Sequence, residues 1–184
     1  MSCCPACGGG LVKRLQSPLA EAVVRELRCG ETIALSGVIY TARDAAHARL
    51  VAAEREKPLD LKGQTIYYVG PCPAPPGKVI GSAGPTTAAR MDPYTIDLLR
   101  GYGVRAVIGK GNRSAEVRRA LVEHGAVYLL ALGGAGALIA SCVREAEVVA
   151  YPDLGPEAIY RLRVEDLPLF VGIDTLGNDI YQRN

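Results

Sequence analysis

Short runs of β-branched and apolar residues recur along this chain, each closed by a Gly, Pro or polar turn and most followed by a stretch of helical composition. That alternation constrains the fold more than any other feature, because strands separated by helices are the pattern of layered α/β domains. Residues 32–40 (TIALSGVIY) read as a strand running into Thr41-Ala-Arg-Asp44, and 45–56 as a helix with Pro58 as its stop. Residues 64–69 and 78–82 read as the next two strands, the first closed by a Pro-rich turn and the second opening into Gly84-Pro-Thr-Thr87. A helix begins near Pro93, with Asp92 as its N-cap, and ends at Gly101 or Gly103.

The second half repeats the rhythm. Residues 105–108 make a strand, 109–112 a loop, 114–124 a helix with Gly125 as its C-terminal signal, and 126–132 a buried strand. A Gly-rich turn then opens a short helix to Cys142, and 147–151, 158–164 and 169–173 are further strands. The pattern predicts an α/β fold with a mixed sheet and a strand-rich C-terminal part. At 184 residues, one domain accommodates it. Residues 17–184 are expected to form that domain, and residues 1–16 a mobile cysteine-bearing extension.

Charge and cysteines narrow the function classes. With 21 basic and 19 acidic side chains the formal charge is +2, so no basic field for nucleic acid is expected and any positive site is local. The apolar runs are too short to span a bilayer and the N-terminus lacks a signal-peptide layout, so the expected location is cytoplasmic, with no membrane partner. The six cysteines are irregularly spaced and do not form a secreted disulfide framework. Cys4-Pro-Ala-Cys7, with Cys3 beside it, resembles half of a zinc knuckle, but no second pair completes four ligands, and no metal site is expected. Cys29, Cys72 and Cys142 read as small apolar residues, with Cys72 also placed for an exposed loop.

The chemistry concentrates between residues 80 and 110. Gly-Ser-Ala-Gly-Pro-Thr-Thr-Ala-Ala-Arg-Met-Asp-Pro-Tyr (81–94) and Ile-Gly-Lys-Gly (108–111) combine backbone that approaches a ligand closely, two adjacent hydroxyls and fixed positive charge. Arg43, Thr86, Thr87, Arg90 and Lys110 all fall where expected strands end and helices begin, the place where ligands collect on α/β sheets. Separated cations suit a ligand with two carboxylates better than a single phosphate, since Arg binds each planar carboxylate bidentately. Gly109-Lys-Gly is not a Walker loop, because Lys110 is followed by glycine rather than Ser or Thr. Blander readings stay open: Arg43 and Asp44 as a surface pair, Thr86 and Thr87 as turn caps, Lys110 as a solvated turn residue, His47 and His124 as structural or capping histidines.

Four separated motifs carry a family resemblance. Ser36-Gly-Val-Ile-Tyr-Thr-Ala-Arg-Asp-Ala-Ala-His47, Tyr68-Val-Gly-Pro-Cys-Pro-Ala74, Gly84-Pro-Thr-Thr-Ala-Ala-Arg-Met-Asp92 and Ile108-Gly-Lys-Gly111 resemble the β subunit of the iron–sulfur class I fumarase and L(+)-tartrate dehydratase family. The likeness extends through Ala150-Tyr-Pro-Asp-Leu-Gly-Pro-Glu157 to Gly177-Asn178.

The resemblance implies a swivelling β/β/α domain that closes over a [4Fe–4S] cluster held by a partner, the cluster-bearing α subunit, with none bound by this chain. It implies a hydro-lyase active only with that partner, interconverting fumarate and malate, with tartrate as the alternative substrate. Carried over by position, Arg43, Arg90 and Lys110 bind the dicarboxylate beside Thr87, and Thr86 is the catalytic base; Asp44 would orient Arg43, and Asp92 would orient Arg90. A threonine hydroxyl is so weak an acid that the base role needs nearby cations or a proton relay. Two readings outside this family stay open: a stand-alone small-anion binding module, and a metal-binding protein using the N-terminal cysteines.

Overall fold

The expected strand at 32–40 forms as β2 (Thr32–Thr41), and the rest of the sheet is organised around it. The computed structural model describes residues 12–53 and 56–182. β2 pairs in parallel with β1 (Lys13–Ser17) on one side and with β3 (Thr65–Tyr67) further along. β4 (Ala106–Gly109) and β5 (Val127–Leu130) continue the parallel set. β7 (Ile159–Ile173), 15 residues long, then runs antiparallel to both β5 and β2 and closes the sheet on itself. β6 (Val143–Ala150) pairs with the first half of β7 as an outer antiparallel strand. The mixed α/β architecture expected from the sequence is thus present, with the added feature of a closed sheet.

β7 appeared in the sequence as two strands, 158–164 and 169–173, and the structure joins them. The join is a bulge: Leu35 pairs with Leu167 and Gly37 with Val164, so β7 carries an extra residue there. Asp166 takes it up at φ 48°, and its N–H is satisfied by the Ser36 hydroxyl at 3.0 Å. The expected strand at 78–82 is absent. That segment lies against Pro71, Pro73, Pro75 and Pro76, which have no N–H to donate to a ladder, and its nearby backbone bonds, Lys78 N–H to Pro75, Cys72 N–H to Ser82 and Gly81 N–H to Cys72, are those of turns. β1 and α1 (Glu21–Glu26) had no strong sequence signal, and β1 begins at Lys13, upstream of the boundary expected at residue 17.

Every residue of β3 and β4 is buried, so these strands are covered on both faces and read as continuous apolar runs rather than alternating ones. Period-two geometry divides them between two cores. Tyr67, Ala106 and Ile108 face the interior of the closed sheet with Leu35, Leu129, Leu167 and Val171. Ile66, Tyr68 and Val107 face outward and pack with the helices. Those are α2 (Asp44–Ala52), α3 (Asp92–Asp97) and α4 (Ala115–Glu123), which contribute Ala46 and Leu50, Thr95, and Val117 and Leu121 to the buried set.

Asp92, expected to cap the helix at Pro93, is instead its first residue: Met91 holds the cap position without a side-chain bond, because the Asp92 carboxylate turns to Arg113 and Ser114 N–H. The other helix ends follow the expected chemistry. Ser114 caps α4 through its hydroxyl, which accepts from Val117 N–H at 3.3 Å, and Gly125 follows at φ 59°. α3 starts with Pro93 near its first turn and continues as a wider turn, Leu98–Tyr102. α5 (Gly136–Ser141) follows the Gly-rich turn after β5. No described helix is long and apolar enough to cross a membrane. Cys3, Cys4 and Cys7 lie outside the described residues.

Candidate functional site

β2, β3 and β4 run parallel and end on the same side, so the residues that follow them share one rim. Arg43 follows β2 and stands at the N-cap position of α2. Tyr68 follows β3, and Lys110 follows β4. The Gly-Pro-Thr-Thr loop threads between them: Thr86 N–H donates to the Tyr68 carbonyl at 2.7 Å, Lys110 N–H to the Thr86 carbonyl at 3.2 Å, and Ala88 N–H to the Lys110 carbonyl at 2.8 Å. Thr87 and Lys110 are therefore bridge partners. The loop that the sequence marks as a ligand cradle is an extra strand segment at the end of β4, holding Thr86 and Lys110 side by side. Gly109 makes this approach possible, since a Cβ there would lie 3.0 Å from both Ala88 Cβ and a Tyr68 ring carbon.

Arg43 is half-buried. Its guanidinium lies 3.5 Å from Glu157 Oε1, and the other Glu157 oxygen accepts from Ala45 N–H at 3.1 Å. One carboxylate thus caps the first turn of α2 and orients the arginine that precedes it. The Arg43 stem crosses Gly70 so closely that a Cβ there would sit 2.8 Å from Cδ and 2.9 Å from Nη1. Its buried Nε has no hydrogen-bond partner among the described residues.

Arg90 ends a short 3₁₀ turn, Ala88–Met91, and pairs with Asp44 at 2.8 Å. Asp44 was expected to orient Arg43; the structure gives it to Arg90 instead, and Arg43 to Glu157. The reason is direction: Asp44 opens α2 and faces the 3₁₀ turn, whereas the Arg43 side chain runs the other way, across Gly70. Since Arg90 is 54% exposed, the pair is worth at most about 1 kcal/mol and its effect is orientation. It nevertheless carries Arg90 to the first turn of α2, next to Arg43. Thr86 and Lys110 are half-buried and Thr87 is exposed, and no described residue hydrogen-bonds to their side chains.

Asp92, expected to orient Arg90, does not contact it. Its Oδ1 accepts from Arg113 Nε at 2.6 Å and its Oδ2 from Ser114 N–H at 2.7 Å. The Arg113 side chain has no exposed surface; it also donates to Thr95 Oγ1 at 2.7 Å and lies over the rings of Tyr68 and Tyr128. Burial opposes its charge, but the Tyr68 hydroxyl and the Asp92 carboxylate outweigh that and hold its pKa above the ordinary guanidinium value. Sequence reasoning missed Arg113, because nothing in Gly-Lys-Gly-Asn-Arg separates an inward arginine from a solvated one.

His47 is also fully buried, one helical turn after Arg43. Its Nδ1 lies 2.7 Å from the Arg43 carbonyl, which it reaches as a donor, and its ring contacts those of Tyr68 and Tyr94. Burial lowers its pKa to about 4, with the Arg43 bond opposing that shift, so the imidazole is neutral near pH 7. The structural reading of His47 is the one its geometry supports.

Among the described residues, no group of three or more His, Cys, Asp or Glu side chains is placed to hold a metal ion. Cys29 contacts the Gly172 carbonyl and Cys142 that of Leu138, while Cys72 is exposed on the Pro-rich turn. These side chains do not fit an iron–sulfur cluster, which needs several thiolates converging on one point.

The chain is 42% identical over 176 residues to the anaerobic class I fumarate hydratase of Escherichia coli (strain K12), covering 92% of this chain and 32% of that protein. It is 41% identical over 172 residues to a putative class I fumarate hydratase of Geobacillus stearothermophilus, covering 91% and 33%. The chain therefore spans about a third of the length of these relatives. It is 37% identical over 172 residues to the putative L(+)-tartrate dehydratase subunit beta of Methanocaldococcus jannaschii, covering 89% of this chain and 88% of that one. The family described as Fumarase C-terminus matches residues 12–184, nearly all of the sequence, and the chain belongs to that family.

Proposed function

We propose that this chain supplies the dicarboxylate-binding half of a hydro-lyase that interconverts fumarate and malate, working with a cluster-bearing partner polypeptide. The observation that carries the reading is the shared rim: Arg43, Arg90 and Lys110 follow or adjoin the ends of β2 and β4, with Thr86 bonded through its backbone to Lys110. In this reading the two arginines clamp the substrate carboxylates as planar, bidentate donors, and Lys110 adds a third positive charge. Fixing both ends of a four-carbon diacid leaves its C2–C3 bond in one orientation, which is where such an enzyme gains much of its rate.

Dehydration of malate removes a proton from C3, and Thr86 is the residue assigned to that proton. Its hydroxyl gains acidity only from the positive field around it, and Lys110, bonded to it through the backbone, is the source proposed for that field. The C2 hydroxyl leaves on the partner's side of the site. In this reading a [4Fe–4S] cluster belongs to that side as well, supplied by the partner. The 88% coverage of a separately encoded subunit beta supports a partnered chain. So do the exposed apolar side chains Val79, Leu132 and Leu138, since Leu132 adjoins Gly133, where an added Cβ would lie 3.8 Å from Lys110 Cδ.

The same relative supports tartrate as a second substrate reading, because its name specifies that activity. Co-expression with the cluster-bearing partner, followed by assays on fumarate and on tartrate, separates the two. In the active complex, Thr86→Ala is expected to lower kcat by about 10²- to 10⁴-fold, the range for losing a positioned acid–base group. Arg90→Ala should act mainly on KM. Turnover unchanged in both variants overturns the assignment.

A further inference from the structure

We propose that Arg113 is a positioning residue that sets Arg90 and Lys110 in register, through a buried strut between the loop that carries Lys110 and the 3₁₀ turn and helix start that carry Arg90. The proposal rests on the reading of Arg90 and Lys110 as carboxylate-binding side chains. Lys110 and Arg113 belong to one loop, three residues apart; Arg90 lies in the 3₁₀ turn and Asp92, two residues on, opens α3. Arg113 Nε donates to Asp92 Oδ1 at 2.6 Å, and Asp92 Oδ2 accepts from Ser114 N–H at 2.7 Å, so one carboxylate grips two consecutive residues of the opposite loop. Two further bonds brace the ends. Thr95 Oγ1 accepts from Arg113 Nη2 and donates to the Met91 carbonyl, directly after Arg90, while the Tyr128 hydroxyl donates to the Gly111 carbonyl, directly after Lys110.

Stability alone is a poor account of this arrangement. A buried ion pair is often no more stabilising than apolar side chains of the same volume, because desolvation consumes most of the attraction. What the pair adds is direction: the guanidinium is planar and lies over the Tyr68 and Tyr128 rings, so its fork meets Asp92 and Thr95 at one angle only. A lysine would keep the charge and lose the fork. Lys110, with no described side-chain partner, takes its position from its loop and therefore from this strut.

A double-mutant cycle in the assembled enzyme tests the idea, read on kcat/KM for fumarate and on the Kd of succinate, which needs no turnover. Arg113→Lys is expected to lower kcat/KM by about 10- to 100-fold, chiefly through KM, and to weaken succinate binding, while the enzyme remains folded at the assay temperature. In the Lys110→Ala background the same substitution is expected to cost several-fold less than in the wild type, because one of the two side chains that it aligns is gone and no register between them remains to be lost. A folded Arg113→Lys enzyme with wild-type kcat/KM and Kd overturns the proposal, as does a full, undiminished loss in the Lys110→Ala background. Should Arg113→Lys fail to fold, Asp92→Asn takes its place with the same expectations. Wild-type behaviour of Lys110→Ala itself would overturn the site reading as well, so the two failures are distinguishable.

Discussion

His47 makes the stability of this domain depend on pH in a window where few other groups act. The imidazole is fully buried and neutral, with its pKa lowered from 6.5 to about 4. Between those values the unfolded chain binds a proton that the folded chain refuses, so stability is complete above about pH 6.5 and falls as the pH drops toward 4. A gap of about 2.5 in pKa corresponds to ~3 kcal/mol in total, and about 2 kcal/mol of it is lost between pH 7 and pH 5. Carboxylates with lowered pKa values, such as Asp174 and Glu31, lose their contributions at lower pH, starting from ordinary values of 3.8 and 4.5. Urea unfolding of the chain at pH 7, 6 and 5, compared with His47→Gln, isolates the histidine term. The wild type should lose about 2 kcal/mol more than the variant across that range, on a domain whose whole stability is about 5–15 kcal/mol. Parallel pH profiles for the two proteins would refute the buried neutral histidine.

Two other substitutions probe the scaffold of the site. Gly70→Ala puts a methyl group 2.8 Å from Arg43 Cδ and 3.1 Å from the Pro156 carbonyl, so Arg43 must swing away; KM of the assembled enzyme should rise about tenfold, or ~1.4 kcal/mol, with little change in Tm. An unchanged KM would remove Arg43 from the site. Ser114→Ala deletes the cap of α4 and should cost about 1 kcal/mol in denaturant unfolding.

The order of elements was legible because the signals were local. The strand at 32–40, the capped helix opening at Ser114 and the buried run after Gly125 each announce themselves in a few residues. Closure of the sheet was not legible, since it depends on β7 continuing through Asp166 and Pro168 to reach β5, and both residues look like strand breakers in isolation. The 78–82 segment erred in the opposite direction: its composition suits a strand, but the prolines beside it offer no donors, and only the three-dimensional neighbourhood reveals that. β1 reads poorly for a third reason. Lys13, Arg14 and Gln16 give it a polar outline, and its place comes from pairing with β2 rather than from its own propensity.

At the rim, the sequence put Arg43 and Lys110 at strand ends, where the structure has them, and gave the acids the wrong partners, and the difference is physical. A cation at the end of a strand is placed by the backbone, which local pattern predicts. The acid that holds it is chosen by side-chain direction across three loops. Glu157 reaches Arg43 from a turn 114 residues away in sequence, and Asp92 ignores the arginine two residues before it in favour of one 21 residues on. Each of these acids also accepts a backbone N–H, Glu157 from Ala45 and Asp92 from Ser114, so each fixes a helix start and a guanidinium at once. That double attachment makes them framework rather than competitors for the substrate. A carboxylate bonded to backbone cannot follow an arginine that moves, so in the proposed reading a diacid would meet Arg43 already aimed but only weakly engaged, at 3.5 Å from its acid. Asp44, with Arg90 as its partner at 2.8 Å and no backbone bond, is the acid of a different kind. If the proposed reading holds, its grip on the more exposed arginine is the one a substrate carboxylate would displace, which makes Arg90 the cation whose rearrangement on binding is expected to be largest.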